Sequence, residues 1–172
     1  MRRRTFVAAL GGVAASWGFV ATMPAAAQQG AKIARIGVLS PADSERTPGF
    51  DALYGLELTE CSEEVARGRV EVHDELRAAG GFVHGGVYGA IAEALAARGT
   101  AVSVAGDGKL AIGLANQTTV LHPIERGTMH ATATRRHRGR TTWIWEVEIA
   151  DDAGRRCVSG RVTVAVRDRE DG

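Results

Sequence analysis

From Lys109 to Val166 the chain reads as four strands in succession, and only one segment before them is long enough to be a substantial helix. The strand segments run at about Lys109–Val120, Gly127–Arg136, Thr141–Ile149 and Arg156–Val166, with Asp151-Asp-Ala-Gly154 as the hairpin turn between the last two. In the third, Trp143, Trp145, Val147 and Ile149 share one face and Glu146 and Glu148 the other, the period-two alternation of a half-buried strand. Upstream, Phe50–Tyr54 is a short helical turn, and Leu56–Glu60 and Ala66–His73 give two further strands. In the latter, Val70 and Val72 oppose Arg67, Arg69, Glu71 and His73, which puts His73 toward solvent. Strands joined by short turns pair antiparallel, and one helix covers only one face of their sheet, so the fold class is α+β.

The helical segment opens at Gly81-Phe-Val-His-Gly-Gly-Val-Tyr-Gly-Ala-Ile-Ala-Glu93, turns at His84-Gly85-Gly86 and runs to about Arg98, with Gly99 as its end. Val87, Ile91 and Leu95 form a stripe that must face a core. Gly86, Gly89, Ala90, Glu93 and Ala97 lie on a neighbouring face of small residues, which permits close approach by another backbone or a ligand. A helix start offers unpaired N–H groups and partial positive charge, and Gly85 and Gly86 carry no side chain to block them. Glu93 is the one acid on this helix. An anion-stabilising helix start and a carboxylate on the same element suit acyl transfer. The plainer alternatives are a solvated helix acid for Glu93 and a structural role in the turn for His84.

The 172 residues suffice for one ordinary domain with a tail, and 45% hydrophobic content with a net charge of +1 describes a globular chain whose charge does not suggest polyanion binding. Arg135-Arg-His-Arg-Gly-Arg140 lacks a nucleic-acid motif and reads as a solvated strand end or a phosphate contact. Cys61 and Cys157 show neither metal spacing nor a disulfide framework and read as small core residues. Asn116 and Gln117, polar in an otherwise apolar strand, point to hydrogen bonds at an interface or ligand edge. The N-terminus differs in kind. Residues 1–27 combine a basic start, an apolar run from Val7 to Ala21 that is short for a membrane span, and Ala25-Ala-Ala27 before Gln28. They read as a signal peptide, with Arg3-Arg4 resembling the twin-arginine export motif. Residues 28–47 read as a linker or vestigial leader, 48–168 as the domain and 169–172 as a charged tail. Residues 1–43, through Ala34-Arg-Ile-Gly-Val-Leu-Ser-Pro41, resemble the opening of an ABC-transporter substrate-binding protein, but the chain is too short for its lobes.

The order of elements, with Gly81-x-x-His84-Gly85-Gly86 and an acid nine residues after the His, resembles the hotdog-fold acyl-CoA thioesterases of the phenylacetate-degradation and 4-hydroxybenzoyl-CoA groups. Leu114-Ala-Asn-Gln-Thr-Thr-Val-Leu-His-Pro123 and His137-Arg-Gly-Arg-Thr-Thr-Trp-Ile-Trp145 carry the same resemblance. It implies a curved antiparallel sheet wrapped around one long central helix. It implies Glu93 as nucleophile or base, the Gly85 N–H polarising the thioester carbonyl, and His84 shaping the site beside Gly86. Gly86, His122, Arg138, Gly139, Arg140, Thr141 and Thr142 are the residues it implies for binding the substrate and its coenzyme A. A homodimer or a dimer of dimers is implied, with each acid facing the other subunit's glycine turn. Coenzyme A belongs to the substrate, and no metal or redox cofactor, nucleic acid or membrane insertion is expected. The chain departs from the family pattern at Ala78, where relatives carry Gln or Asn, at Ala97, where one branch has Thr, and at His122, where Arg is common. The expected reaction is hydrolysis of aromatic or medium-chain acyl-CoA. The rival is a hotdog acyl-CoA-binding module of impaired catalysis, and a periplasmic solute-binding protein is a distant third. The substrate implies the cytoplasm; a working leader would imply the periplasm.

Overall fold

The computed structural model describes residues 49–169, so the signal-like leader and the substrate-binding-protein resemblance lie outside the described residues. A short helix α1 (Phe50–Leu53) precedes strands β1 (Glu57–Cys61) and β2 (Val65–Glu71), then helix α2 (Gly85–Val104), then β3 (Lys109–Val120), β4 (Thr128–Arg138), β5 (Thr142–Ala150) and β6 (Arg156–Asp168). The six strands form one sheet in the order β1-β2-β4-β5-β6-β3, with every pair antiparallel. The sheet curves around α2, as expected of the hotdog arrangement.

The alternation in the sequence sets which face is inside. In β5, Trp143, Trp145, Val147 and Ile149 are buried and Glu146 and Glu148 point outward. They meet Tyr88, Ile91 and Leu95 of α2, together with Val70, Met129, Val158, Val162 and Val164, in one core. At about 25 cal/mol per Å² of apolar surface removed from water, that core is the main favourable term holding helix to sheet.

Two details of α2 differ from the sequence reading. Tyr88, not Val87, leads the buried stripe; its hydroxyl accepts the Ile124 N–H at 3.3 Å, so the ring can enter the core without stranding its polar end. The helix also does not end at Gly99 but continues to Val104. Gly99 is fully buried, and a Cβ there would press into the Trp145 indole, 2.9 Å from Cζ2 and 3.1 Å from the Ser62 carbonyl oxygen. Its missing side chain makes room for a tryptophan; the chain turns instead at Gly108, where φ is 69°.

The two edges of the sheet are unlike. β1 is short, interrupted by a bulge and lined by the Arg69–Glu57 and Arg67–Glu60 ion pairs, features that discourage further pairing. β3 is twelve residues long and leaves Ile112, Leu114 and Val120 exposed. Cys61 and Cys157 are both free, and no described helix is long and apolar enough to cross a membrane.

Candidate active site

His84 ends the extended approach to α2 (φ −64°, ψ 134°), and its Nδ1 accepts the Gly86 N–H at 3.0 Å. The imidazole thus acts as the helix N-cap, a task more often done by Ser or Asp, and with Nδ1 accepting the ring proton sits on Nε2. The Val87 N–H donates to the His84 carbonyl at 2.9 Å. These bonds leave the Gly85 N–H without a partner among the described residues. Gly85 is exposed, and a Cβ there would meet no packed atom within 4 Å, so no side chain from elsewhere in the fold crowds this residue. The helix start therefore presents a free donor and the positive end of the macrodipole to any group arriving from outside.

Glu93 lies about 12 Å further along the helix axis, at 1.5 Å per residue. It is exposed, and its side chain lies across Gly113 of β3, so that a Cβ at Gly113 would stand 2.7 Å from Oε1. Gly86, Gly89, Ala90 and Ala97 surround it with half-buried or exposed small residues, and none of them raises a barrier to a ligand or a second backbone.

The loop after β3 closes against the helix start. The His122 N–H donates to the Cys157 carbonyl at 3.0 Å, and the Val83 N–H to the Ile124 carbonyl at 2.8 Å. Ala78 belongs to the turn just upstream, donating to the Phe82 carbonyl at 2.8 Å and accepting from the Gly81 N–H at 2.9 Å. His84, Gly85, Gly86 and His122 are thus gathered at one end of the domain.

Arg138, Gly139, Arg140, Thr141 and Thr142 are at the other end, where β3 begins. β3 spans about 36 Å at roughly 3.3 Å per residue, so His122 and Arg140 of one protomer cannot grip the same phosphate. The arginines of this group also divide. Arg138 donates to Glu63 at 2.6 Å, and its guanidinium lies 5.0 Å over the Trp143 ring, as does that of Arg135. Glu63 and Trp143 hold it in place. The Trp143 indole N–H in turn donates to the Gly139 carbonyl at 3.1 Å, and Gly139 N–H to that of Thr142 at 3.0 Å. Arg140 and Thr141 instead line an open pocket of about 410 Å³ with Lys109, Val166, Arg167 and Asp168. Lys109 and Arg167 were not visible as site residues in the sequence, because only the β3–β6 pairing brings the start of one strand to the end of the other. Three cations against one carboxylate suit a polyanion.

A model of the thioesterase superfamily matches residues 80–158, which include the helix start, Glu93 and strands β3 to β5. A Mycobacterium tuberculosis protein named as an esterase is 36% identical over 125 residues, 72% of this chain and 89% of the relative. Its solved structure superposes with a TM-score of 0.68, covering 70% of this chain and 98% of that one at 33% identity. A 1,4-dihydroxy-2-naphthoyl-CoA hydrolase of Listeria monocytogenes is 30% identical over 119 residues, 69% of this chain and 96% of the relative. The chain belongs to the thioesterase superfamily and is a thioester hydrolase of the hotdog fold.

Proposed function

We propose that this chain hydrolyses acyl-CoA thioesters, with aromatic or medium-chain acyl groups, to the free acid and CoA, and that it works as a homodimer or a dimer of dimers. The observation that carries the reading is the uncommitted N–H of the exposed Gly85 at the start of α2. Within one protomer it lies about 12 Å along the helix from Glu93. A carbonyl oxygen held by an N–H and an oxygen attacking the same carbon must lie within about 3 Å of their targets. One copy therefore supplies the acid and the other the donor.

The exposed edge of β3, with Ile112, Leu114 and Val120, supports a second copy pairing there. In that assembly the partner subunit's Gly85 N–H polarises the thioester carbonyl. Glu93 takes a proton from water as the oxygen attacks, or attacks directly to give a mixed anhydride that water then hydrolyses to the free acid; the tetrahedral oxyanion sits on the helix start. The C–S bond breaks, and CoA leaves as the thiolate and takes up a proton. His84 holds the turn through Nδ1, with Gly86 keeping the approach open. Arg140 and Thr141, joined by Lys109 and Arg167, receive the CoA phosphates. Lys109 is four residues from Gly113, about 13 Å, a span the flexible arm of CoA can bridge. The naphthoyl-CoA hydrolase among the relatives supports an aromatic acyl group. Acyl-CoA esters put the work in the cytoplasm.

The test is release of free CoA over a panel of aromatic and aliphatic acyl-CoA esters by wild type and Glu93→Gln. The expected result is turnover on part of the panel and a loss of about 10³-fold in the variant. Ala78 and Ala97, which place no polar side chain at two positions of the family pattern, favour a second reading, an acyl-CoA-binding module. Equal, slow turnover by both proteins with tight CoA binding would establish that module instead.

A further inference from the structure

Strand β3 does more than close the sheet. Between Gly113 and Ala115 its pairing with β6 slips by one residue: Gly113 pairs with Val164, and Ala115 already with Thr163. Without that bulge, inward-facing positions would run 111, 113, 115, 117. With it, the inward parity passes to Asn116, opposite the buried Val162. The Asn116 Nδ2 then donates to the Gly89 carbonyl at 2.7 Å. In an α-helix that carbonyl also accepts the N–H four residues on, which is that of Glu93. Three residues earlier on the strand, Gly113 lies under the Glu93 side chain, where a Cβ would come within 2.7 Å of Oε1, 3.0 Å of Cδ and 3.3 Å of Cγ.

We propose that Gly113 and Asn116 are positioning residues that seat the Glu93 carboxylate: Gly113 provides the floor on which it lies, and Asn116 clamps the helical turn that carries it. The bulge allows one strand to do both. This inference rests on Glu93 being the acid of the thioesterase reading, and it gives two strand residues a role that the helix itself does not supply. Asn116 acts through Glu93 and its turn, not on substrate. Since β3 is also the open edge of the sheet, whatever pairs with that edge stiffens the seat.

The test compares Gly113→Ala, Asn116→Asp (same shape, no donor toward Gly89) and Glu93→Gln, reading kcat and KM separately on the best acyl-CoA, with thermal unfolding of each and a crystal structure of Gly113→Ala. A reacting group displaced by about 1 Å costs on the order of 10²-fold. Gly113→Ala is therefore expected to lower kcat about 10- to 100-fold and Asn116→Asp about 5- to 10-fold, with KM within about twofold and with the Glu93 carboxylate displaced in the crystal. Wild-type kcat in both folded variants, beside an inactive Glu93→Gln, would overturn the seat and leave the thioesterase reading standing. A kcat loss that only tracks the folded fraction, or a Glu93 carboxylate unmoved in Gly113→Ala, would overturn it too. If wild type itself does not turn over while the carboxylate moves in the crystal, the seat holds and the thioesterase reading fails.

Discussion

At Gly99 an added methyl would enter the Trp145 indole, whereas at Gly85, near the other end of the same helix, it would meet nothing within 4 Å. Both glycines are unfavourable in a helix, by roughly 0.5–1 kcal/mol relative to Ala. At Gly99 the loss is offset inside the protomer: the helix closes on a buried tryptophan, whose indole N–H donates to Thr100 at 2.9 Å while Thr100 donates to the Ala96 carbonyl at 2.9 Å. At Gly85 nothing inside the protomer offsets it. The Gly99 end of α2 is thus closed by packing within the protomer, whereas the first turn at Gly85 is exposed.

The hardest test of that contrast is Gly99→Val. Overpacking a closed contact costs on the order of 3 kcal/mol, so chemical or thermal unfolding should show a Tm lower by roughly 10 °C. Turnover per folded molecule should hardly change. A Tm left where it was would show that Trp145 can step aside and that the two ends of the helix do not differ in this way.

Next comes Trp145→Phe, which keeps an aromatic ring in the core but removes the donor to Thr100. Lost packing and a buried hydroxyl with one partner fewer should cost about 2 kcal/mol, read by urea denaturation with an unchanged m-value.

Gly85→Ala should do the reverse. Ala is the better helix former, so stability should hold or rise by a few tenths of a kcal/mol. A methyl beside the free N–H should still lower kcat/KM about tenfold, close to 1.4 kcal/mol of transition-state stabilisation. A Gly85→Ala variant that is stable and fully active would show that the open helix start does not require a glycine.

The strands, their antiparallel pairing, the buried face of β5 and the helix start were legible because each is written in neighbouring residues. What failed to show was written across long separations. A glycine that ends a helix and one that admits a tryptophan look alike until Trp145 is known to lie against Gly99. Nothing near Tyr88 in the chain shows that Ile124 will provide a donor for its hydroxyl and let it lead the buried stripe in place of Val87. Arg138 looks as free as Arg140 until β4 brings it to Glu63. Asn116 was visible as a polar residue with a bond to make, but its partner depended on a bulge that alternation alone does not reveal. At the site, the residues clustered in one motif (His84, Gly85, Gly86) came together, and those expected to hold CoA split between the two ends of β3.

The smallest expected effect is on the outer face of the sheet, far from both glycines. Glu146 accepts from Arg136 at 2.6 Å and from Arg161 at 3.3 Å, and these hydrogen bonds, chiefly the first, hold its carboxyl below the ordinary value of 4.5. A carboxyl whose pKa is depressed by folding stabilises the folded state when ionised. That contribution is complete above the unfolded value, near pH 4.5, and is lost as the pH falls through the lower, folded one. The Tm difference between wild type and Glu146→Gln should therefore be constant from pH 7 down to about 5, shrink below 4.5 and vanish in stronger acid. Because the arginines and the acid are solvent-exposed, the difference should be small at every pH and should fade with added salt. A Glu146→Gln variant as unstable as Gly99→Val would mean that charge on the outer face, not the closed end of α2, holds helix and sheet together.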